Sequence, residues 1–564
     1  MWKRLFPPLQ WLRGYSSKSL KSDVIAGVTL AAYAIPVSMA YASLAGLPVQ
    51  YGIYGYLLGG IFYAIFGTGR QLAIGPTSAI SLLVGTTIAT MANGDAQRWR
   101  EIASLTALVM GSFCLIAYLL RLSSIINFIS ESVLIGFKAG AAITIALTQM
   151  PKLFGIKGGG AGFFERSGIL IGQLQDTNLS VLIFGLIVIL VLIAGERFFP
   201  GRPVAIILVI GSIIIISTTS LVSSGFSIVG QIPPGLPRFQ LPSVNLKDLD
   251  GVIPLAFACF LLAYIESVSA AKTLANQGGY EIDSRQELLG LAAANAATAL
   301  GNGYPVTGGL SQSAVNSKAG AKTTLSLVFT SGTIALCLLF LTGPLKYLPD
   351  VMLASILLVA ISGLIDIKGL KRLWKVNRME FSVALIAFLG VIVFGILKGV
   401  ILAAVASIIL LIRAVSDPYI AILGRIPGTK RYTDIKRHPD NELISNILIF
   451  RVEASLFYFN TENIRKRIWA EILESEESLK CVILDLGTSP YVDIAGTRFI
   501  KKLYLDLQAK GISFKIAEAH ARVRDMLRTE DVEFLLGHIS RKITVDDLVN
   551  ESTVIQQQNS SGNL

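Results

Sequence analysis

From residue 23 to residue 416 the chain is almost wholly apolar, cut by Gly, Pro and short charged runs into about fourteen blocks of 16 to 25 residues. Blocks of that length match the ~20 residues a helix needs to cross a bilayer, so this part reads as a polytopic α-helical membrane domain. Two blocks break the pattern. The one at Pro76 is rich in Ser and Thr, and the one at Ser311 is too short and polar to cross alone. Each is expected to start near the midplane as a half-helix, third in its half of seven. Broken helices at matching places predict an inverted seven-plus-seven repeat around a solute site. After Asp417-Pro418 the period changes: apolar runs at 446–452 and 480–486 read as strands, with helical patterns after Thr461, Gly496 and His520. That is a small α/β domain.

The boundaries follow: 1–22 an N-terminal cytoplasmic segment, 23–416 the transport domain, 417–550 the α/β domain, 551–564 a polar disordered tail. The proline-rich stretch 222–250 joins the halves. Asp366 to Arg378, with apolar residues between its charges, reads as an amphipathic helix on the membrane surface.

Only 15% of residues are charged, against about 25% in soluble domains, which excludes a soluble enzyme. A net charge of +12 does not point to nucleic acid. Lys3, Arg4, Arg13, Lys18 and Lys21, and then Lys368, Lys371, Arg372, Lys375 and Arg378, flank apolar spans and set topology. An even number of spans puts both clusters and both termini in the cytoplasm, in an inner or plasma membrane. The N-terminal residues do not read as a cleaved signal peptide. Cys114, Cys259, Cys337 and Cys481 are isolated and read as core packing. His438, His520 and His538 all fall beyond the apolar part, so histidine is not an intramembrane proton carrier. No metal-ligand spacing appears, and nothing calls for a cofactor.

Gly75-Pro76-Thr77-Ser78 and Gly308-Gly309-Leu310-Ser311 supply rigid helix starts with free amides. Two such starts facing each other would hold an anion without a full charge, with Thr77, Ser78, Ser311 and Ser313 adding hydroxyl donors. Small residues that merely allow close helix packing are the plain alternative; the double occurrence argues against it. Glu266 is a carboxylate inside an apolar span, where an unpaired charge costs several kcal/mol, so it is suited to carrying a proton. A structural pairing with Lys272 is the other reading. Tyr41 is a candidate ligand or a packing residue, Gln149 a polar helix contact, and Arg70 a topology residue.

Two stretches carry a resemblance: Asp23-Val-Ile-Ala-Gly-Val-Thr through Leu44-Ala-Gly-Leu-Pro48, and Gly67-Thr-Gly-Arg-Gln-Leu-Ala-Ile-Gly-Pro76. With Glu266-Ser267, Pro305-Val-Thr-Gly-Gly309 and Ser313-Ala-Val-Asn316, they resemble the SulP family of anion transporters, which includes sulfate permeases and prestin. The C-terminal domain is similar to the STAS domain these proteins carry. The resemblance implies a core domain moving against a gate domain, usually a homodimer, with an acid at Glu266 linked to proton coupling and a cytoplasmic partner of the STAS-like domain as a further possibility. Two departures stand out. Val37 replaces a frequent Gln, and Gln312, placed among the substrate-binding residues, replaces an Arg found in many animal relatives. Without that cation the half-helix dipoles must carry more of the attraction, which favours proton-coupled anion uptake over a channel or motor.

The expected function is proton-coupled sulfate uptake by an elevator-type motion, the partners being an inorganic anion, a proton and the lipid bilayer. Its rivals are sodium-coupled bicarbonate or proton-coupled C4-dicarboxylate transport, and an uncoupled channel or motor. In the α/β domain, Ile494 and Ala495 stand where the Asp-Ser-Ser-Gly turn of bacterial anti-sigma antagonists has serines, so a phosphoserine switch is not expected there. Gly487-Thr-Ser lacks P-loop spacing.

Overall fold

The computed structural model describes residues 5–123, 130–160, 162–198, 204–219, 221, 224–475, 479–537 and 539–561. Lys3, Arg4, Ile129 and His538 lie outside the described residues. The chain divides into two units, Met1–Ser407 and Ile408–Leu564.

Among the described residues, fourteen of the helices between Ser17 and Ser416 fall in two sets of seven. The first set is α1 Ser17–Leu44, α2 Gln50–Phe66, α3 Ser78–Ala92, α4 Ala96–Leu119, α5 Glu131–Phe154, α6 Leu179–Phe198 and α7 Val204–Thr218. The second is α8 Leu249–Gly278, α9 Ser284–Leu300, α10 Leu310–Lys318, α11 Leu325–Phe340, α12 Asp350–Ser362, α13 Arg378–Phe394 and α14 Ile396–Ser416. Among the described residues, five helical stretches are long and apolar enough to cross a membrane by length and composition. A two-residue strand precedes the third helix of each set, β1 Ile74–Gly75 before α3 and β2 Thr307–Gly308 before α10. At 1.5 Å per residue α10 is about 13 Å long, too short to span, and both α3 and α10 begin just after a strand inside the apolar part, as expected of half-helices.

Packing follows the repeat. α2 lies against α9, α4 against α9 as α11 lies against α2, and α1 against α11 as α8 lies against α4. These helices, with α3 and α10, form one group. The other is built from α5 against α12 and α13, and α6 against α12. Apolar burial drives no helix association in lipid, so small residues and polar contacts set these approaches. A Cβ on Gly136 of α5 would run into the Ala384 carbonyl of α13, and one on Gly52 of α2 into the Ser38 carbonyl of α1. Asp23, fully buried, accepts from the Lys322 amide at 2.6 Å, the Thr323 amide at 3.1 Å and the Thr323 hydroxyl at 2.6 Å. It thereby fixes α1 to the segment entering α11.

The expected surface helix is Ile367–Val376, capped by Asp366, whose Oδ1 accepts from the Gly369 amide at 2.8 Å. Half-exposed Trp374 leans on Phe381, with ring centroids 4.8 Å apart. The stretch between the halves runs extended against the second set: the Val229 amide donates to Leu348 O at 2.9 Å and the Gly235 amide to Leu338 O at 3.1 Å.

The second unit has a five-stranded sheet in the order β4-β3-β5-β6-β7. Its strands are β3 Ile420–Arg425, β4 Tyr432–Asp434, β5 Ile447–Val452, β6 Cys481–Asp485 and β7 Ser513–Ala517. β3 pairs antiparallel with β4 and β5, while β5, β6 and β7 are parallel. Every residue of β6 is buried, as a central strand covered on both faces requires. Helices α15 Thr461–Glu474, α16 Ile494–Ala509 and α17 Ala521–Thr529 pack one face around Ile468, Ile500 and Val523. On the other face α18, Val545–Ser561, buries Val545, Leu548 and Val549. The disordered tail expected at 551–564 is corrected here: α18 runs to Ser561, because its first turns have an apolar face that the sheet covers. Residues 562–564 lie outside the described residues.

The turn into α16 is held by Asp493, whose Oδ1 accepts from the Gly496 amide and whose Oδ2 accepts from the Tyr458 amide, both at 2.8 Å. Asp493→Ala removes a charged cap and leaves two amides without acceptors. It should cost the second unit about 1–3 kcal/mol, read as faster hydrogen exchange across α16 in the full-length protein.

Candidate functional site

A break in a membrane helix exposes backbone groups that no water can satisfy. Here the two breaks satisfy each other: β1 and β2 pair antiparallel, Ile74 opposite Gly308 and Gly75 opposite Thr307. Side chains complete the ladder. Asn295 of α9 accepts from the Val306 amide at 2.9 Å and donates to the Val306 carbonyl at 3.0 Å. Ser267 of α8 accepts from the Gly308 amide at 2.8 Å, and the Thr307 hydroxyl donates to Ala263 O at 2.8 Å. Gln312 donates to Ala73 O at 3.0 Å and accepts from the Tyr56 hydroxyl.

This crossing aims the starts of α3 and α10 at one cavity of about 130 Å³. That suits a small inorganic anion and is well below the roughly 300–1,000 Å³ of drug-sized sites. The helix starts contribute Thr77, Ser78, Ser311 and Gln312, α1 contributes Tyr33 and Tyr41, and α8 contributes Glu266. The Tyr41 hydroxyl is directed at Ser78. The first amides of α3 and α10 have no intrahelical acceptor, as at any helix start, and together they form a partial positive pole.

Six of the seven sequence-predicted site residues thus line one cavity; Ser313 does not. Its hydroxyl donates to Gly309 O at 2.7 Å and accepts from the Ala73 amide at 2.9 Å. Ser313 sits about 200° around the helix from Ser311, so only one of the two can face the cavity. Gln312 lines the wall, but its amide is already committed to the strand crossing.

Two carboxylates differ in an informative way, fully buried Glu287 and part-buried Glu266. Glu287 of α9 accepts from the Tyr63 hydroxyl at 2.7 Å, the Thr68 amide at 2.8 Å, the Thr68 hydroxyl at 2.5 Å and the Gly69 amide at 3.1 Å. It is fully occupied. Glu266 has only a long contact from the Thr77 hydroxyl, at 3.5 Å, as its hydrogen bond among the described residues. Lys138 of α5 lines the same cavity from the other helix group and interacts electrostatically with Glu266. The expected alternative partner, Lys272, is exposed; six residues on, it lies about 240° around α8. Arg70 is exposed and stacks over Tyr280 at 4.8 Å, consistent with a surface role.

The sequence pattern of the sulfate permease family matches residues 20–387, and that of the STAS domain matches residues 438–545. The chain belongs to the sulfate permease family. It is 32% identical to Probable sulfate transporter 4.2 of Arabidopsis thaliana over 97% of this chain and 83% of that protein. It is 30% identical to a probable sulfate transporter of Mycobacterium tuberculosis over 94% of this chain and 95% of that one. The fold is that of the murine Solute Carrier 26 family member A9 anion transporter in its inward-facing state: TM-score 0.89, 22% identity, 97% of this chain and 94% of that one. Sulfate permeases are membrane anion transporters rather than enzymes, and this chain is one of them.

Asn295→Ala should leave the Val306 amide and carbonyl unpaired in an apolar interior and cost about 1–3 kcal/mol per orphaned group. A lowered thermal transition of the detergent-solubilised permease is the expected reading. An unchanged transition would mean the strand crossing does not depend on this side chain.

Proposed function

We propose that the protein takes up sulfate together with a proton by an elevator-type motion. The observation that carries this reading is that Glu266, Lys138 and two opposed half-helix starts line one small cavity. An ionised Glu266 pairs with Lys138 and repels an incoming anion. Like charges 4 Å apart at an effective dielectric near 20 repel by about 4 kcal/mol, roughly a thousandfold in affinity. Protonation of Glu266 removes the repulsion and frees Lys138 to face the anion, so proton and anion favour each other's binding. Lys138 supplies the fixed cation that position 312 lacks.

The division of the lining supports an elevator. Almost every polar wall belongs to the group of α1, α3, α8 and α10, whereas the other group presents Leu134, Ala360 and Leu364 beside Lys138. A core carrying the site past a mostly apolar gate keeps its hydrogen bonds while moving. Thr77, Ser78, Ser311, Gln312 and Tyr41 then bind the anion and Glu266 carries the proton. The relatives' names favour sulfate. The basic residues around the spans place both termini in the cytoplasm of an inner or plasma membrane, and the working form is a homodimer whose STAS domain offers a cytoplasmic partner surface.

Uptake of labelled sulfate, bicarbonate and fumarate into proteoliposomes under an inward proton gradient, then an inward sodium gradient, tests this. Proton-driven sulfate accumulation is expected; sodium-driven bicarbonate accumulation would overturn both substrate and coupling. Glu266→Gln should abolish proton-driven accumulation while sulfate exchange persists. Lys138→Gln should weaken sulfate binding at least tenfold, for the loss of about 1.4 kcal/mol or more of attraction, measured as a rise in KM.

A further inference from the structure

A second basic cavity, of about 330 Å³, lies at the opposite end of α5 from Glu131. It is walled by the ends of α1 and α3, through Ser43 and Thr86, and by the end of α5 with the loop that follows. Three cations line it, Lys152, Lys157 and Arg166, and no carboxylate does. Gln149, only 4% exposed, also lines it, with its amide nitrogen 3.1 Å from the Thr148 hydroxyl. Arg166 is held in place by its Nε donating to Gly160 O at 2.8 Å, which leaves the outer edge of its guanidinium for a ligand. Asp176 and Asp350 line the adjoining, wider basin of about 630 Å³, on the far side of Lys152 and Lys157. Lys152 feels the charge of Asp350 there. Among the described residues no carboxylate lines the compartment against α1 and α3, although Glu165 acts electrostatically on Arg166 from beside it.

We propose that this compartment is a second anion site, an outer capture site for a small divalent oxyanion ahead of the central cavity. The inference rests on the proposed function for the identity of the anion, for which face is outside and for the movement of the core. Low-dielectric walls lined by one sign of charge focus the field and raise the local concentration of counter-ions. Lys152 and Lys138 lie fourteen positions apart on α5, about 21 Å along the helix axis. One helix thus presents a cation at the mouth and another at the centre. Gln149 and hydroxyls from the moving core supply neutral donors at the mouth, so an anion there exchanges contacts with the core without crossing a desolvated charge pair.

The experiment is sulfate uptake by the full-length protein in proteoliposomes as a function of sulfate concentration, at low and high ionic strength. The variants are Lys157→Gln, Lys152→Gln with Lys157→Gln, and the matching Arg substitutions. Glutamine should raise KM roughly three- to tenfold at low ionic strength with the maximal rate unchanged, the difference shrinking in high salt; arginine should restore KM. A KM unmoved by Lys157→Gln and the double variant overturns the capture site. So does a KM effect that appears only in vesicles containing anionic lipid, because the cations would then hold a headgroup phosphate. Absence of sulfate uptake by the unaltered protein is a different result: it overturns the choice of sulfate, and the same variants are then read with bicarbonate.

Discussion

Unpaired peptide groups in an apolar medium are the constraint around which the membrane unit is built. The starts of α3 and α10 open towards a cavity inside the membrane unit, and exposing backbone amides there means breaking two helices. The break is tolerable because β1 and β2 pair with each other and because Asn295, Ser267 and Gln312 satisfy what the two-residue ladder leaves over. Since each strand runs directly into its half-helix, the pairing also dictates where α3 and α10 begin. The cavity wall and the helix breaks are therefore one structural feature, and the buried polar residues nearby mostly serve the break.

Charge is distributed with similar economy. Of the buried acids near the centre, Glu287 is saturated by four donors and Asp23 by the segment entering α11; both are ties between helices. Glu266 is left with few partners on its own group of helices and faces a lysine on the other. Under the proposed elevator motion this electrostatic interaction crosses the moving boundary, so its energy changes with the motion as well as with binding.

The helical membrane fold, the two broken segments, the surface helix at 367–376 and the α/β domain were legible because Gly, Pro and the change of hydrophobic period mark them directly. Glu266 was legible because a lone carboxylate in an apolar run is expensive. Lys138 was not: it lies among Gly136, Ala139 and Gly140, 128 positions before Glu266, and only the packing of α5 against the core brings the two together. Lys272 drew attention through nearness in sequence, although six residues of helix turn it away. Ser313 was read as a ligand from its hydroxyl type alone, which says nothing of the Gly309 carbonyl and Ala73 amide that its hydroxyl bonds in the fold. The helix at the end of the chain was missed because its polar residues outnumber the few apolar ones that the sheet buries.

The strand crossing also has a consequence for biosynthesis. About 230 residues separate β1 from its partner β2, which at ordinary translation speeds is a delay of roughly 10–50 s. Throughout that interval the first seven helices carry an extended segment whose peptide groups have no permanent mate. The nascent first half must keep that segment in contact with water, with the insertion machinery or with a chaperone until Pro305 to Gly309 emerges. The second half is thus the closing piece of the first, and neither can finish folding in the membrane by itself.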